Sequence, residues 1–495
     1  MFKKGFDNEL YLKLQSQKIK ERISFFGEKL YLEFGGKLFD DFHAARVLPG
    51  FEPDSKVRML SELSDDAEVI IAINTEDIEK NKVRGDLGIT YDLDVLRLID
   101  AFSGYGLRVS SVVMTRYRQN PVADAFKLKL EKLGVRVYLH YEIAGYPHNI
   151  PLIASDDGFG KNEYIETTSP VVIVTAPGPG SGKMATCLSQ IYHENKRGVK
   201  AGYAKFETFP VWNVPLSHPV NIAYEAATAD LADINMIDPF HLEAYGQTAV
   251  NYNRDVEVYP VLLAILKQIL GDCPYKSPTD MGVNMAGFCI VDNDAVSAAA
   301  RQEIIRRYYN ALCNQRKGSD NDVEVEKLEL LLRKLGLDAV GDRPCVAPAL
   351  AKSEETQAPA VAIELNDGRV VTGKTSSLLG ASAAALLNAL KAIAGIEKEV
   401  DVISHEILEP VQRLKTENLG NHNPRLHTDE VLIALAVSAV NNPEAKKALA
   451  ALPELRHAEA HSTVILSQVD VATFRKIGVQ LSCEPKYQTK KLFHN

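Results

Sequence analysis

The chain has 495 residues, of which 46% are hydrophobic and 24% are charged, and its net charge at pH 7 is −9. This length predicts about three domains, because a single hydrophobic core seldom serves a chain so long. The negative net charge gives no electrostatic basis for binding nucleic acid or an anionic membrane, so neither is an expected partner.

The amino end, with the sequence MFKKGFDN, lacks the apolar segment of a signal peptide. The longest apolar helical stretches, such as residues 431–440, are too short to span a bilayer. The six cysteines are scattered without a C-x-x-C pair, which argues against a disulfide framework and a structural zinc site. We therefore expect a cytoplasmic protein that binds no zinc.

Residues 1–210 predict an α/β domain with a parallel sheet. After a helical opening over residues 10–32, apolar runs predict strands, and amphipathic stretches between and after them predict helices. The predicted strands are residues 68–73, 109–114, 135–139, 171–176 and 199–204, and the predicted helices are residues 93–102, 121–133 and 184–196. This alternation is typical of a parallel sheet with helices on its faces, where ligands bind at the carboxyl ends of the strands.

The most informative motif is PGPGSGKM at residues 177–184, which we call the glycine loop. Glycines let a loop curl so that successive backbone N–H groups face an anion at a helix N-terminus. The following lysine can then reach a β- or γ-phosphate. The residues predicted to bind the phosphate are Gly178, Gly180, Ser181, Gly182 and Lys183.

The glycine loop departs from the G-x-x-x-x-G-K-[ST] pattern at both ends. Pro177 replaces the first glycine, and Met184 replaces the hydroxyl residue that normally binds Mg²⁺. A magnesium ion would need Ser181 or Thr186, or is absent. The expected cofactor is ATP or another phosphate-bearing ligand, and the alternative is a tight strand-to-helix turn that binds nothing.

Two further groups of polar residues follow predicted strands. Arg116 and Arg118 lie just after the strand that ends near residue 114, where they are candidates to clamp an anion, although a solvated loop explains them equally well. The sequence KFET at residues 205–208 ends the strand after the loop helix, a usual place for catalytic side chains. We predict Lys183, Arg116 and Arg118 as catalytic residues.

Residues 211–345 predict a mainly helical region, and residues 346–495 a linker followed by a C-terminal α/β domain. Helical periodicity covers residues 221–234, 258–270, 295–317 and 323–335, and the proline-rich residues 344–359 predict a linker or long loop. The C-terminal domain is expected to contain strands at residues 400–404 and 463–467 and a closing helix and strand.

The sequence GRVVTGKT at residues 368–375 matches G-x-x-x-x-G-K-[ST] in full, but we interpret the match as accidental. An Asn-Asp-Gly turn precedes a β-branched run, which predicts a hairpin of residues 360–365 and 369–372. Thr375 or Ser376 would then cap a helix that begins near Ser377. HAE at residues 457–459 lacks the P-C-x-x-C partner of zinc deaminases.

Three sequence blocks carry a family resemblance: GFDN at residues 5–8, FGGKLFDDFHAARVLPGF at residues 34–51, and APGPGSGK at residues 176–183. With them, the whole chain resembles a bacterial family known as domain of unknown function number 1846. The resemblance implies a glycine-loop α/β region, a helical insertion, and a C-terminal α/β layer with deaminase-like topology but without zinc ligands. It implies no reaction.

Two functional hypotheses follow. The first is a nucleotide- or phosphate-dependent enzyme, a transferase or hydrolase, that acts on a small molecule through the glycine loop. The alternative is a non-catalytic metabolite-binding or assembly protein that uses the loop as an anion site. A homo-oligomer is compatible with both hypotheses.

Overall fold

The computed structural model describes residues 3–35, 38–39, 41–84, 87–231 and 233–488, so residues 36–37 and 40 of the second family block lie outside it. The chain divides into two compact units. The N-terminal unit contains Lys4–Glu225 and Ala232–Ala299, and the C-terminal unit contains Met1–Lys3, Ala226–Leu231 and Ala300–Asn495. The division into three regions stays a prediction.

The N-terminal unit is built on a seven-stranded parallel sheet in the order β11-β8-β1-β7-β2-β5-β6. Two small antiparallel pairs, β3 with β4 and β9 with β10, accompany it. The strands are β1 (Lys29–Phe34), β2 (Ala67–Asn74), β3 (Val83–Arg84), β4 (Ile89–Thr90), β5 (Arg108–Tyr117), β6 (Arg136–Tyr141), β7 (Val171–Thr175), β8 (Ala201–Phe206), β9 (Asn235–Ile237), β10 (Val250–Tyr252) and β11 (Gly282–Val283).

Helices connect and cover these strands. They are α1 (Asn8–Phe26), α2 (Phe42–Val47), α3 (Ser55–Ser61), α4 (Thr75–Glu79), α5 (Tyr91–Gly104), α6 (Pro121–Lys132), α7 (Ile150–Ile153), α8 (Lys183–Lys196), α9 (Pro219–Ala227), α10 (Pro239–Tyr245), α11 (Asn253–Leu270), α12 (Pro278–Met281) and α13 (Asn293–Arg316). Helices α9 and α13 begin in this unit and end in residues of the C-terminal unit. Within the described residues, no helix is both long and apolar enough to cross a membrane.

The strand order creates a switch point between β7 and β2. These strands are neighbours, yet the chain leaves β2 toward β5 and β6, and leaves β7 through α8 toward β8 on the other side. Connections that diverge from neighbouring parallel strands leave a crevice at the carboxyl ends. Every residue of β7 is buried, as its β-branched sequence VVIVT predicts for a central parallel strand.

The predicted α/β class and all five predicted strands of this unit are confirmed, but one strand is wrongly read as helix. The helical opening predicted for residues 10–32 ends with α1 at Phe26, and the chain then forms β1. Five of the six residues of β1 are buried, so the strand lacks the alternating polarity that would distinguish it from a buried helix. It lies at the centre of the sheet, between β8 and β7.

The middle of the chain is less helical than predicted. The helices predicted for residues 258–270, 295–317 and 323–335 are confirmed, but α9 ends at Ala227 and β9 begins at Asn235. Residue 232, inside the predicted helix, lies outside the described residues. Strand β11 adds an edge to the parallel sheet from this region, because the short segment Gly282–Val283 pairs with β8.

The C-terminal unit contains a separate four-stranded mixed sheet in the order β13-β12-β14-β15. Strand β12 is antiparallel to β13 and β14, whereas β14 and β15 are parallel. Its further elements are α14 (Asp322–Leu335), α15 (Val346–Thr356), β12 (Ala360–Glu364), β13 (Val370–Lys374), α16 (Ala381–Ala394), α17 (His405–Arg413), α18 (Thr428–Ser438), α19 (Pro443–Ala450), β14 (Glu459–Ser462), α20 (Gln468–Lys476) and β15 (Gln480–Cys483).

Outside the segment of the formal Walker match, three predictions for this unit are wrong, although the closing helix and strand are confirmed. The predicted linker at residues 344–359 contains helix α15, whose Pro348 lies in the first turn, where a missing N–H costs nothing. Residues 400–404 form no strand. The strand predicted for residues 463–467 instead spans Glu459–Ser462.

The hairpin that explains the full Walker match is confirmed. Strand β12 pairs antiparallel with β13 across the Asn-Asp-Gly turn, and Gly368 has a left-handed φ of 87°. The predicted helix start is wrong, because α16 begins at Ala381 with Gly380 as its N-cap. Ser376 instead accepts the backbone N–H groups of Leu378 and Leu379 in a turn.

Gly373, the second glycine of the formal match, has a packing role. A Cβ at this position would lie 2.1 Å from the backbone nitrogen of Ala385, because α16 packs directly against β13 there. We predict that Gly373→Ala destabilises the C-terminal unit by about 1–3 kcal/mol through overpacking. Urea denaturation measures the change, with Gly380→Ala as control, where the nearest atom to a Cβ is an ordinary 3.5 Å away. Equal effects of the two substitutions would contradict the close approach.

His427 and Asp470 couple the starts of α18 and α20. His427 Nδ1 lies 2.9 Å from Asp470 Oδ2, and Asp470 Oδ1 accepts the backbone N–H and the hydroxyl of Thr428. The hydrogen bond to Asp470 raises the pKa of His427. Although burial alone would raise it, these hydrogen bonds hold the pKa of Asp470 at about 2.

These shifts predict a window of maximal stability. The stability that the lowered pKa of Asp470 provides is fully present above the unfolded carboxyl pKa of about 4, and it is lost as pH falls toward about 2. The His427 contribution is present below about 6.5 and is lost as pH rises through the raised pKa. The difference in the free energy of unfolding between the wild type and Asp470→Asn should therefore be largest between about pH 4 and pH 6.5. The control His422→Gln, which alters an exposed histidine, should show no such maximum. A difference for Asp470→Asn that does not change with pH would refute the coupling.

Candidate functional site

The glycine loop joins β7 to α8 at the switch point, and each of its glycines has a structural reason. Gly180 and Gly182 have left-handed φ angles of 75° and 85°, which residues with a side chain rarely adopt. A Cβ on Gly178 would lie 2.2 Å from the hydroxyl oxygen of Tyr91. The prediction of a strand-to-helix turn at this position is confirmed.

The neighbouring strands hold the carbonyl side of the glycine loop. Thr115, on β5, donates its hydroxyl to the carbonyl of Ser181 over 2.7 Å, and the Asn74 amide, on β2, lies 3.4 Å from the carbonyl of Gly180. The Ser181 hydroxyl donates to the carbonyl of Gly178 over 3.0 Å. Hydrogen bonds to its backbone carbonyl oxygens thus hold the loop against the sheet.

The amide side of the loop is unoccupied by the protein itself. Across the part of the chain that the structure describes, the backbone N–H groups of Gly178 and of residues 180–184 donate to no protein acceptor. The last of these groups belong to the first turn of α8, where the helix dipole favours negative charge. This arrangement is suited to an anion.

Lys183, the first residue of α8, is half-buried and makes no hydrogen bond or ion pair with any described residue. Burial lowers its pKa and the nearby Lys205 does so too, whereas Glu33 raises it. An ammonium group in this position gains from any anion that enters beside it. Burial raises the pKa of the Cys187 thiol, one turn further on, well above the usual value, which disfavours the thiolate form.

A buried polar cluster lies at the end of β8, around Lys205. Its ammonium contacts the carboxylates of Asp255 and Glu207, the latter at 3.0 Å, and the hydroxyl of Tyr252. It also lies 4.7 Å from the centre of the Tyr252 ring. Burial opposes the charge on Lys205, but these partners raise its pKa well above the usual value.

Glu207 holds its proton unusually well. Burial and the adjacent Asp255 raise the pKa of its carboxyl to about 7, against the opposing effect of Lys205. Two carboxylates on one lysine leave an excess of buried negative charge, which protonation of one of them removes. A carboxyl group with a pKa near neutrality is suited to accept and donate protons.

Glu33 connects this cluster to the glycine loop. In the parallel register, Val174 of β7 lies opposite Glu33 of β1, which lies opposite Lys205 of β8. Two strand spacings separate β7 from β8, a distance of about 10 Å. Glu33 is buried, accepts a hydrogen bond of 2.7 Å from Tyr203, and acts electrostatically on both Lys183 and Lys205.

The two predicted arginines lie at the end of β5 and are paired with carboxylates. Arg116 has a left-handed φ of 50°, and its guanidinium lies 3.8 Å from Glu76 and 3.7 Å from Glu142. Arg118 also pairs with Glu142, and 70% of its side chain is exposed. The chain brings Arg116 next to Thr115, which holds the glycine loop, but both guanidinium groups already have anionic partners.

Sequence reasoning found part of this site. The segment at residues 205–208 includes Lys205 and Glu207, and the glycine loop includes Lys183. Glu33 was missed because its strand reads as helix, and Asp255 because it lies 50 residues beyond Lys205. No local signal links that carboxylate to β8, since α11 brings it there only in the folded chain.

The fold and the glycine loop at its switch point define an open parallel α/β sheet protein with a separate mixed-sheet unit. The chain belongs to the family described as domain of unknown function DUF1846, whose N-terminal domain matches residues 4–336 and whose C-terminal domain matches residues 341–493. The resemblance inferred from the sequence blocks is thereby confirmed.

Relatives match along their full length. A UPF0371 protein of Corynebacterium glutamicum (strain R) is 58% identical over 490 residues, 99% of each chain. The UPF0371 protein str1377 of Streptococcus thermophilus (strain CNRZ 1066) is 56% identical over 493 residues, and one of Streptococcus pneumoniae (strain JJA) is 55% identical over 493 residues, each covering 100% of both chains.

The two lysines at this edge should differ in their effect on stability. Lys205→Met leaves Asp255 and Glu207 without their cation, so we expect a loss of about 3–5 kcal/mol. Lys183→Met removes an ammonium that pairs with none of the described residues, and should change stability by less than about 1 kcal/mol. Chemical denaturation at neutral pH measures both. Equal losses would show that Lys205 does not hold the cluster together.

Proposed function

We propose that the protein binds a phosphate-bearing small molecule, such as ATP, at the carboxyl edge of its parallel sheet, and that it is a phosphate-dependent transferase or hydrolase. The observation that carries the proposal is the set of backbone N–H groups of the glycine loop that donate to no acceptor among the described residues. Buried or helix-end donors are normally satisfied by the protein, by water or by a ligand.

In this proposal, the loop amides hold the phosphate and Lys183 balances its charge. Gly178, Gly180, Ser181 and Gly182 contribute the backbone donors, and the first turn of α8 adds its dipole. The ammonium of Lys183 has no competing partner among the described residues, so binding an anion breaks no existing ion pair. Its charge would stabilise negative charge that develops during transfer.

The evidence that the two arginines bind the ligand is weaker than the evidence for the loop. Arg116 would have to exchange Glu76 and Glu142 for a ligand phosphate, and Arg118 would have to leave Glu142. Such exposed ion pairs stabilise a protein by at most about 1 kcal/mol, so the exchange is cheap. We keep Arg116 as a proposed clamp because it follows Thr115, and we assign Arg118 a secondary role.

The alternative function is non-catalytic binding of an anionic metabolite, and one observation favours it. The Ser181 hydroxyl donates to the carbonyl of Gly178 within the loop, and Met184 replaces the usual hydroxyl ligand of magnesium. A loop whose own hydroxyl is engaged can hold phosphate without Mg²⁺, although the buried hydroxyl of Thr186, the other expected magnesium ligand, has no hydrogen-bond partner among the described residues. A cytoplasmic location, a deaminase-like C-terminal sheet and a homo-oligomeric state are further proposals.

Thermal unfolding with added ligand tests the proposal. ATP at about one hundred times its Kd should stabilise the protein by roughly 2.7 kcal/mol and raise Tm. Lys183→Ala should abolish the shift, whereas Lys374→Ala, which removes the lysine of the formal Walker match, should leave it unchanged. No ATP or phosphate shift in the wild type, or a shift that survives Lys183→Ala, would refute the binding site.

The same measurement separates the two functions. If ATP requires Mg²⁺ for its shift and inorganic phosphate gives a smaller one, the site recognises a nucleotide, as the enzyme proposal expects. If phosphate alone gives the full shift without Mg²⁺, the non-catalytic alternative is favoured. Release of phosphate from ATP over time, lost in Lys183→Ala, would support catalysis directly.

A further inference from the structure

The Lys205 cluster contains one more carboxylate than a purely structural ion pair needs. One carboxylate suffices to balance a buried lysine, but the Lys205 ammonium contacts both Glu207 and Asp255. The second carboxylate adds repulsion and desolvation cost. Such a pair holds a shared proton most readily, as carboxylate pairs in acid–base catalysis do.

The cluster is fixed in place and is largely, but not completely, buried. The backbone N–H of Glu207 donates to the carbonyl of Val283 on β11, which fixes the residue at the sheet edge. Gly282 leaves room for the carboxyl, since a Cβ there would lie 2.8 Å from Glu207 Oε2. Between 10% and 14% of the side-chain surfaces of Lys205, Glu207 and Asp255 is exposed, so the cluster is not sealed from solvent.

The Lys205 cluster lies at the same edge of the sheet as the proposed phosphate site. Glu207 lies two residues beyond Lys205, and the glycine loop begins two residues beyond Thr175, at the same carboxyl edge of the sheet. Glu33 lies between them in the register. A small molecule with its phosphate on the loop would extend over the strand ends of β1 and β8.

We propose that Glu207 exchanges a proton with the ligand that the glycine loop holds, with Asp255 as its carboxyl partner and Lys205 as the cation that fixes both. This inference rests on the proposed function. The charged and titratable groups that act on Glu207 from the surrounding elements are Lys205 on β8, Asp255 on α11, Tyr252 on β10, Tyr224 on α9 and, through Lys205, Glu33 on β1.

The roles within the cluster are distinct. As a base, the Glu207 carboxylate takes a proton from a ligand O–H or N–H group, and as an acid it returns one. Asp255, the second carboxylate on Lys205, raises the pKa of Glu207 and so affects the pH at which Glu207 releases its proton. Lys205 stays charged throughout and is a positioning residue, because its pKa is raised well above the usual value despite burial.

Infrared difference spectroscopy between acidic and alkaline pH tests the inference on the full-length protein. The carbonyl stretch of a protonated carboxyl group should titrate near pH 7 in the wild type and disappear in Glu207→Gln. The matched control is Glu194→Gln, which alters a buried glutamate that accepts from Lys29 and Tyr31 and should leave the band intact.

In the second part of the experiment, the infrared titration is repeated with ATP or inorganic phosphate added to the same samples. Bound ligand should shift the midpoint of the Glu207 band in the wild type and leave it unshifted in Lys183→Ala. The inference is overturned if no band titrates near neutrality, even where the thermal shift shows binding. It is also overturned if ligand binds without moving the midpoint, because the pair is then structural. If neither ATP nor phosphate binds, the proposed function fails, and this inference fails with it.

Discussion

The carboxyl edge of the N-terminal unit depends on the parallel register that places Glu33 of β1 beside Lys205 of β8. A lysine at the end of a buried strand is costly unless anions surround it, and Lys205 meets that requirement with Asp255, Glu207 and the Tyr252 ring. The same register brings Glu33 within electrostatic range of Lys183 at the start of α8. Glu33 thus links the loop and the cluster electrostatically.

The glycine loop shows how a short segment can be rigid and yet leave binding groups free. Its carbonyls accept hydrogen bonds from Thr115, Asn74 and Ser181, while its amides donate to no acceptor in the part of the chain that the structure describes. The left-handed conformations of Gly180 and Gly182 make this division possible, because a chain with side chains there would have to turn differently. Binding would then cost little ordering of the loop.

The C-terminal unit illustrates how a sequence motif can arise from packing alone. Gly373 is required because α16 lies against β13, and Gly368 because the hairpin turn needs a left-handed residue. The fully buried Arg343 joins the neighbouring strands by donating to Ser482, Glu459 and the carbonyls of Ala460 and Gln480. These contacts account for conspicuous residues of the unit without a ligand.

Much of the N-terminal sheet was predictable, because most of its strands are largely apolar runs that alternate along the chain with amphipathic helices. The glycine loop was predictable for the same reason, since a glycine-rich turn between a buried strand and a helix has few other forms. The hairpin of β12 and β13 followed from its turn residues. These features depend on local sequence, so reading the chain was sufficient to find them.

Other features were decided by the tertiary structure. β1 forms a strand because β7 and β8 offer it hydrogen bonds on both sides, although its sequence equally suits a buried helix. Residues 344–359 contain a helix because α15 packs against β12 and β13. Asp255 reaches Lys205 only when α11 is in place. Local sequence determined which segments turn and which are buried, but the partners of buried charges come from distant positions that only the folded chain brings together.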